Sequence, residues 1–216
     1  MCESAGNRYL AGMAHGAAGI SLALLRLFAR TGDTRLRDAA LAGMEYERGL
    51  YTPEERNWPD LRVGAKEAAE TAAGAEHFLW AWCTGAPGIG LARLSGLPFV
   101  DDAAVREEIA IALESTLARG FGRNHGLCHG DLGNADFLLE AAATLGDAKL
   151  QARVDGVAGG ILRGITERGY LFGLQGSTET PGMMVGLAGI AYGLARLARP
   201  ERVPSLLTAA SPLNPS

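Results

Sequence analysis

An all-α fold is what the sequence predicts, on three observations. Few stretches alternate apolar and polar residues with period two, and aromatic residues are only 6% of the chain, so little of it reads as strand. Four segments share the form x-x-G-x-x-G-[I/N]: AHGAAGI at 14–20, CTGAPGI at 83–89, CHGDLGN at 128–134 and MVGLAGI at 184–190. Behind each comes an Ala/Leu-rich stretch of helical composition, so the glycine turns open helices. The 30 glycines among 216 residues follow neither a collagen period nor a linker pattern, and the repeated turn is a structural use for them.

The first turn leads into SLALLRLFAR from Ser21, and GDTRLRDAALAG at 32–43 follows, Gly32 closing one helix and Asp33 capping the next. Residues 51–76, which contain Pro53 and Pro59, are the longest irregular stretch and read as a surface loop, where function often concentrates. The second turn opens another helix, after which Val105, Ile109, Leu113 and Leu117 mark an amphipathic helix with one buried face. The third turn leads into FLLEAAATLG from Phe137. GDAKLQARVDGVAG at 146–159 then repeats the Gly-Asp junction at the offset seen in the first copy, with Asp147 as cap and Leu150, Val154, Val157 and Ile161 as the apolar face. The fourth turn opens the last helix, and proline-punctuated residues 201–216 read as a C-terminal tail. Residues 1–200 are therefore expected to form one domain of helical hairpins. Repeats of roughly 45 to 70 residues cannot bury an apolar face alone and must stack as a solenoid or close into a ring.

The net charge is −4, and basic residues such as Arg26, Arg30, Arg35 and Arg37 are scattered, which leaves no footprint for nucleic acid. No apolar run has the length of an integral membrane segment and no signal pattern opens the chain, so a cytoplasmic protein is expected. Three cysteines are an odd, sparse set, read in a reducing compartment as thiols or metal ligands.

Equivalent repeat positions occupy equivalent places, so the residues before each turn's first glycine can be compared. One place before it stand His15, Thr84, His129 and Val185; two places before it stand Ala14, Cys83, Cys128 and Met184. In a closed ring these slots share one end and converge on the axis. Two thiolates and an imidazole make a zinc set of catalytic type, with the fourth tetrahedral position left for water or substrate. His15 is then either a fourth ligand or an acid/base standing off the metal. Taken singly, a Cys or His in a helical protein is more often core packing, and Cys2 and His77 read that way. His125 is either a hydrogen-bonding group behind the metal ligands or a surface residue. Asp131 is an N-cap or a partner of the ligating histidine. Asp60 and Arg62 in NWPDLR read as solvated loop charges, with a tryptophan that would also suit the mouth of a peptide pocket. A carbohydrate enzyme would need convergent carboxylates, for which Asp136 and Glu140 lie in one helix without an evident partner.

In this order, AHGAAGI, WCTGAPGIG and NHGLCHGDLGN resemble the C-terminal part of LanC-like lanthionine cyclases. Together with NWPDLR and the GMMVGLAGIAYGLARLA ending, they most resemble the cyclase domain of class II lanthipeptide synthetases (LanM), from about Gly12 to the C-terminus. The resemblance implies an α/α toroid, here incomplete with about four of the family's seven hairpins. It further implies Zn2+ held by Cys83, Cys128 and His129, with His15 as the active-site histidine. The implied reaction adds a cysteine thiolate of a lanthipeptide precursor to dehydroalanine or dehydrobutyrine. A separate dehydratase or an N-terminal synthetase portion is the implied partner. Thr84 and Leu79 stand where stand-alone LanC enzymes carry a tyrosine and an arginine, and the family's upstream catalytic aspartate has no counterpart. A zinc-binding but catalytically incompetent peptide-binding or partner module is the alternative expectation.

Overall fold

The structure, a computed structural model, describes residues 9–62 and 77–208. Cys2, residues 63–76 of the expected loop and residues 209–216 of the expected tail lie outside the described residues. The described residues form seven α-helices, α1 Ala17–Thr31, α2 Thr34–Arg48, α3 Ala86–Gly96, α4 Ala103–Arg119, α5 Asp131–Leu145, α6 Ala148–Arg168 and α7 Leu187–Ala198, and a single 3-10 turn, Gln175–Ser177. Among the described residues, isolated β-bridges pair Thr52 with Asn57 and Pro59 with Phe78. The fold is all-α, and none of the described helices is long and apolar enough to cross a membrane.

The repeated glycines are explained by one local geometry. Helices α1, α3, α5 and α7 begin immediately after the first glycine of each turn (Gly16, Gly85, Gly130, Gly186), and none of the four has a side-chain cap on its own N-cap residue. The preceding backbone curls over the helix end and caps it with carbonyls: Ala17 N–H donates to Leu10 O at 2.9 Å, Asp131 N–H to Asn124 O at 2.7 Å and Leu187 N–H to Thr180 O at 2.8 Å. Such closeness leaves no room for a side chain. A Cβ on the second glycine of each turn would stand 2.0 Å from Met13 O at Gly19, 1.9 Å from Trp82 O at Gly88, 1.9 Å from Leu127 O at Gly133 and 1.7 Å from Met183 O at Gly189. These second glycines lie inside the helices, so α1 and α5 start several residues before Ser21 and Phe137.

The chain divides into two compact units, Met1–Thr116 and Leu117–Ser216. In the first, α1 and α2 form an antiparallel hairpin and α1 also packs on α3, whose residues are nearly all buried. Asp33 caps α2 by accepting from Arg35 N–H, as its place in the sequence implies. The interior of this unit holds an ion-pair network: Arg93 of α3 reaches Glu47 of α2 at 3.0 Å and Glu108 of α4 at 2.5 Å, with Arg93 and Glu47 almost wholly buried. Breaking a buried network of this kind by removing one charge costs about 3–5 kcal/mol.

The second unit repeats the plan. Helices α5 and α6 form a hairpin, Asp147 caps α6 through Lys149 and Leu150 N–H groups, and α7 packs on α5. Residues 201–208 pack against these helices: Leu207 is buried, and Ser205 Oγ donates to Asp136 Oδ2 at 2.5 Å. Arg196 of α7 supplies the partner for the two α5 carboxylates, pairing with Asp136 at 3.0 Å and with Glu140. Burial pushes the carboxyls of both Asp136 and Glu140 up, against the pull of Arg196.

Candidate metal centre

In the first unit Cys83 is 2% exposed and Thr84 equally so, both held in the bend before α3. The turn carrying His15 is hydrogen-bonded to it, since Ala14 N–H donates to Cys83 O at 3.2 Å. A Cβ on Gly12, whose φ is +98°, would stand 2.7 Å from that same carbonyl oxygen. The base of the His15 turn is tied to the buried network, because Gly12 N–H donates to Glu47 Oε1 at 2.8 Å. His15 itself is exposed and lines an apolar cleft of about 560 Å³ with Tyr9, Ile20, Ser21, Gly43 and Tyr46. One wall of this cleft is stiffened by Tyr46, whose hydroxyl donates to Tyr9 O at 2.7 Å.

The NWPDLR segment also belongs to this unit, and it is more buried than a solvated loop. Trp58 is 1% exposed and part of the core. Asp60 is buried and gripped by the Arg62 guanidinium, with contacts at 2.6 and 2.9 Å. Burial pushes its carboxyl up, but the Arg62 hydrogen bonds and charge, with a smaller pull from His77, together hold it below the usual carboxylate range.

In the second unit the half-buried donor atoms of Cys128 and His129 lie within 4.8 Å of one another. Leu127 and Cys128 both donate backbone N–H groups to Met184 O, at 3.0 and 2.8 Å. Cys128 and Met184 share a repeat slot, as do Ala14 and Cys83. In both units, then, the slot residue of one turn donates its N–H to the slot carbonyl of the next.

His129 has a defined tautomer. Its Nε2 lies 2.7 Å from Gly173 O, and a carbonyl can only accept, so Nε2 carries a proton and in the neutral ring the lone pair sits on Nδ1. This is the usual arrangement behind a metal-bound histidine, in which the second ring nitrogen donates to a carbonyl or carboxylate. Glycine eases the approach: a Cβ on Gly173 would stand 3.1 Å from His129 Nε2 and 3.0 Å from Val185 Cβ, so both neighbours would have to give by a few tenths of an ångström. His125 grips the same 171–173 strap two residues earlier, its backbone N–H donating to Leu171 O at 2.8 Å and its ring Nδ1 accepting from Leu171 N–H at 3.0 Å. Burial, then the nearby Arg168, push the His125 pKa below its ordinary value, in keeping with a ring that accepts at Nδ1.

Asp131 sits in the first turn of α5, and its Oδ1 accepts from Gly122 N–H at 3.0 Å and Arg123 N–H at 3.4 Å. Burial raises its carboxyl pKa against those bonds. It holds the loop leading to Cys128. Asn124 does so from inside that loop, donating to His129 O at 3.3 Å and accepting from Gly126 N–H at 2.9 Å. Gly173 and Asn124 escape a reading of the repeat slots because neither is in one.

The lanthionine synthetase C-like protein family matches residues 1–208 of the chain. Among solved structures, nisin cyclase superposes with a TM-score of 0.67 at 21% sequence identity, over 93% of this chain. The chain spans about half, 49%, of the length of nisin cyclase. No curated protein matches by sequence. The likeness establishes that the helical hairpins follow the fold of that cyclase.

Proposed function

The chain belongs to the lanthionine synthetase C-like family, and on that premise we propose that it takes part in zinc-dependent thioether ring formation in a lanthipeptide precursor. The observation that carries the reading is the Cys128–His129 pair, with its donor atoms within 4.8 Å and the His129 Nδ1 lone pair left by the Gly173 bond. Cys83, in the repeat slot of Cys128, adds a second thiolate. Two thiolates and one imidazole match the ligand preferences of zinc and would leave room for a substrate thiol as a further ligand.

Cys83, Cys128 and His129 would hold the zinc, which would supply Lewis acidity to a substrate thiol that at an ordinary pKa near 8.5 is only about 3% thiolate at neutral pH. His15, at the rim of the apolar cleft, accepts the thiol proton and returns a proton to the α-carbon. The sulfur adds to the β-carbon of dehydroalanine or dehydrobutyrine, so the S–H bond and the Cα=Cβ π bond break and one C–S and one C–H bond form. No redox co-reactant is required. The unsaturated residue must come from dehydration of serine or threonine, by a separate dehydratase or the N-terminal portion of a synthetase. The NHGLCHGDLGN motif favours the LanM type of cyclase. Thiol ligands that stay reduced fit a cytoplasmic location.

A second reading, a zinc-binding peptide or partner module without catalysis, is favoured by the buried Thr84, which offers no exposed acid/base beside Cys83. Two assays separate the readings. Metal analysis of the purified protein is expected to give about one zinc per chain, falling in Cys83→Ala, Cys128→Ala and His129→Ala; undiminished zinc in all three removes the ligand assignment. With a dehydrated precursor peptide, mass spectrometry after thiol alkylation is expected to show thiols disappearing faster than in buffer and more slowly in His15→Ala. Zinc binding without faster thiol loss supports the module.

A further inference from the structure

The four glycine turns are not identical, and the one carrying Cys83 is the exception. In turns one, three and four the first helical N–H donates to the carbonyl seven residues earlier: Ala17 to Leu10, Asp131 to Asn124, Leu187 to Thr180. The equivalent pair in turn two is Ala86 and Leu79. There Ala86 N–H donates to Asn57 Oδ1 at 2.7 Å, while Asn57 Nδ2 donates to Leu79 O at 3.4 Å. A side-chain amide is thus inserted between two backbone groups that meet directly in the other copies.

The backbone of the turn differs with it. Gly16, Gly130 and Gly186 have φ of −139°, −127° and −127°, whereas Gly85 has φ +85°, in the left-handed region. A Cβ on Gly85 would stand 1.9 Å from Leu79 O and 3.0 Å from Asn57 Oδ1, so turn and amide are fitted to each other. Asn57 is wholly buried and held in place from its own side. Its backbone pairs with Thr52 at 2.9 and 3.4 Å, and its Oδ1 also accepts from Trp58 N–H at 2.9 Å.

We propose that Asn57 is the positioning residue for Cys83: its amide, wedged between Ala86 N–H and Leu79 O, imposes the left-handed turn at Gly85 that sets the direction of the Cys83 thiolate. The inference rests on Cys83 being a zinc ligand. A primary amide suits the position because it presents one acceptor and one donor to two different partners. Aspartate keeps the acceptor for Ala86 N–H, and its charge is favourable at a helix N-terminus, but it turns a second oxygen toward Leu79 O. Alanine removes both bonds and lets Ala86 N–H meet Leu79 O directly, as in the other three turns.

The test uses the whole chain with Co2+ in place of Zn2+. Sulfur-to-cobalt charge-transfer absorption reports the number of thiolate ligands, so wild type is expected to show a two-thiolate spectrum and Cys83→Ala a one-thiolate spectrum. In Asn57→Ala the absorption is expected to fall toward that of Cys83→Ala, with zinc affinity weakened about 10–100-fold. Asn57→Asp, which keeps the helix cap and so the fold, is expected to show the same spectral change in smaller degree. A purely structural Asn57 would lower the unfolding midpoint and leave the spectrum of the folded protein intact. A two-thiolate spectrum in wild type that persists in Asn57→Asp, and in Asn57→Ala if it folds, overturns the proposal. The lack of a two-thiolate spectrum in wild type itself overturns the zinc reading, and this inference with it.

Discussion

Replacing Gly189 with alanine tests the close backbone approach in the one copy of the repeated turn that carries no proposed site residue. Gly189 lies near the start of α7, and an added Cβ would stand 1.7 Å from Met183 O. Non-bonded carbon and oxygen approach to about 3.3 Å, so the turn must open by roughly 1.6 Å. That displacement breaks Leu187 N–H to Thr180 O, now 2.8 Å, and Gly189 N–H to Gly182 O, now 3.4 Å. Two such bonds contribute about 1 kcal/mol each, and the strain of the forced fit adds about 1–3 kcal/mol. Alanine recovers about 1 kcal/mol over glycine within a helix. The net expectation is a loss of about 2–4 kcal/mol. Gly156, inside α6 with no atom within 4 Å of an added Cβ, is the internal control. Gly156→Ala is expected to stabilise by about 0.5–1 kcal/mol. Urea titrations followed by far-UV circular dichroism read both changes. If Gly189→Ala is as stable as wild type, or both substitutions shift stability in the same direction, close backbone approach is not why the turns need glycine.

Gly173→Ala presses on His129 Nε2 and Val185 and is expected to weaken zinc binding about 10–100-fold, read by competition with a chelator; unchanged affinity detaches the strap from the metal centre. Arg196→Met leaves Asp136 buried without its cation and is expected to cost about 3–5 kcal/mol near neutral pH. Since burial already raises the Asp136 carboxyl pKa, that cost should shrink as pH falls and the group takes up its proton; a pH-independent cost would contradict the ion pair. For His125, burial and Arg168 lower the folded pKa, so the unfolded chain binds more protons. The stability owed to the neutral ring is complete above the ordinary value of about 6.5 and is lost as pH falls through it toward the lowered folded pKa. Unfolding midpoints across this range should therefore fall less steeply in His125→Gln than in wild type, and parallel curves would remove His125 as the cause.

Features with causes a few residues away were legible in the sequence: the glycine turns, the helices behind them, the Asp33 and Asp147 caps, and the slot shared by Cys83 and Cys128. A helix start is decided by backbone groups within seven residues of one another, and a slot is inherited from the repeat, so local pattern carries both. Tertiary structure decided which distant groups meet. His129 Nε2 finds Gly173 O across 44 positions, Asn57 enters the Cys83 turn from 29 positions away, and Arg196 pairs with Asp136 over 60. Such pairings depend on which helices pack and in what register. Hydrophobic burial drives that packing without specifying, along the chain, which buried polar group will meet which. That is why the sequence could pick out Cys83, while what aims it, Asn57 at the turn before α3, emerged only from the folded chain.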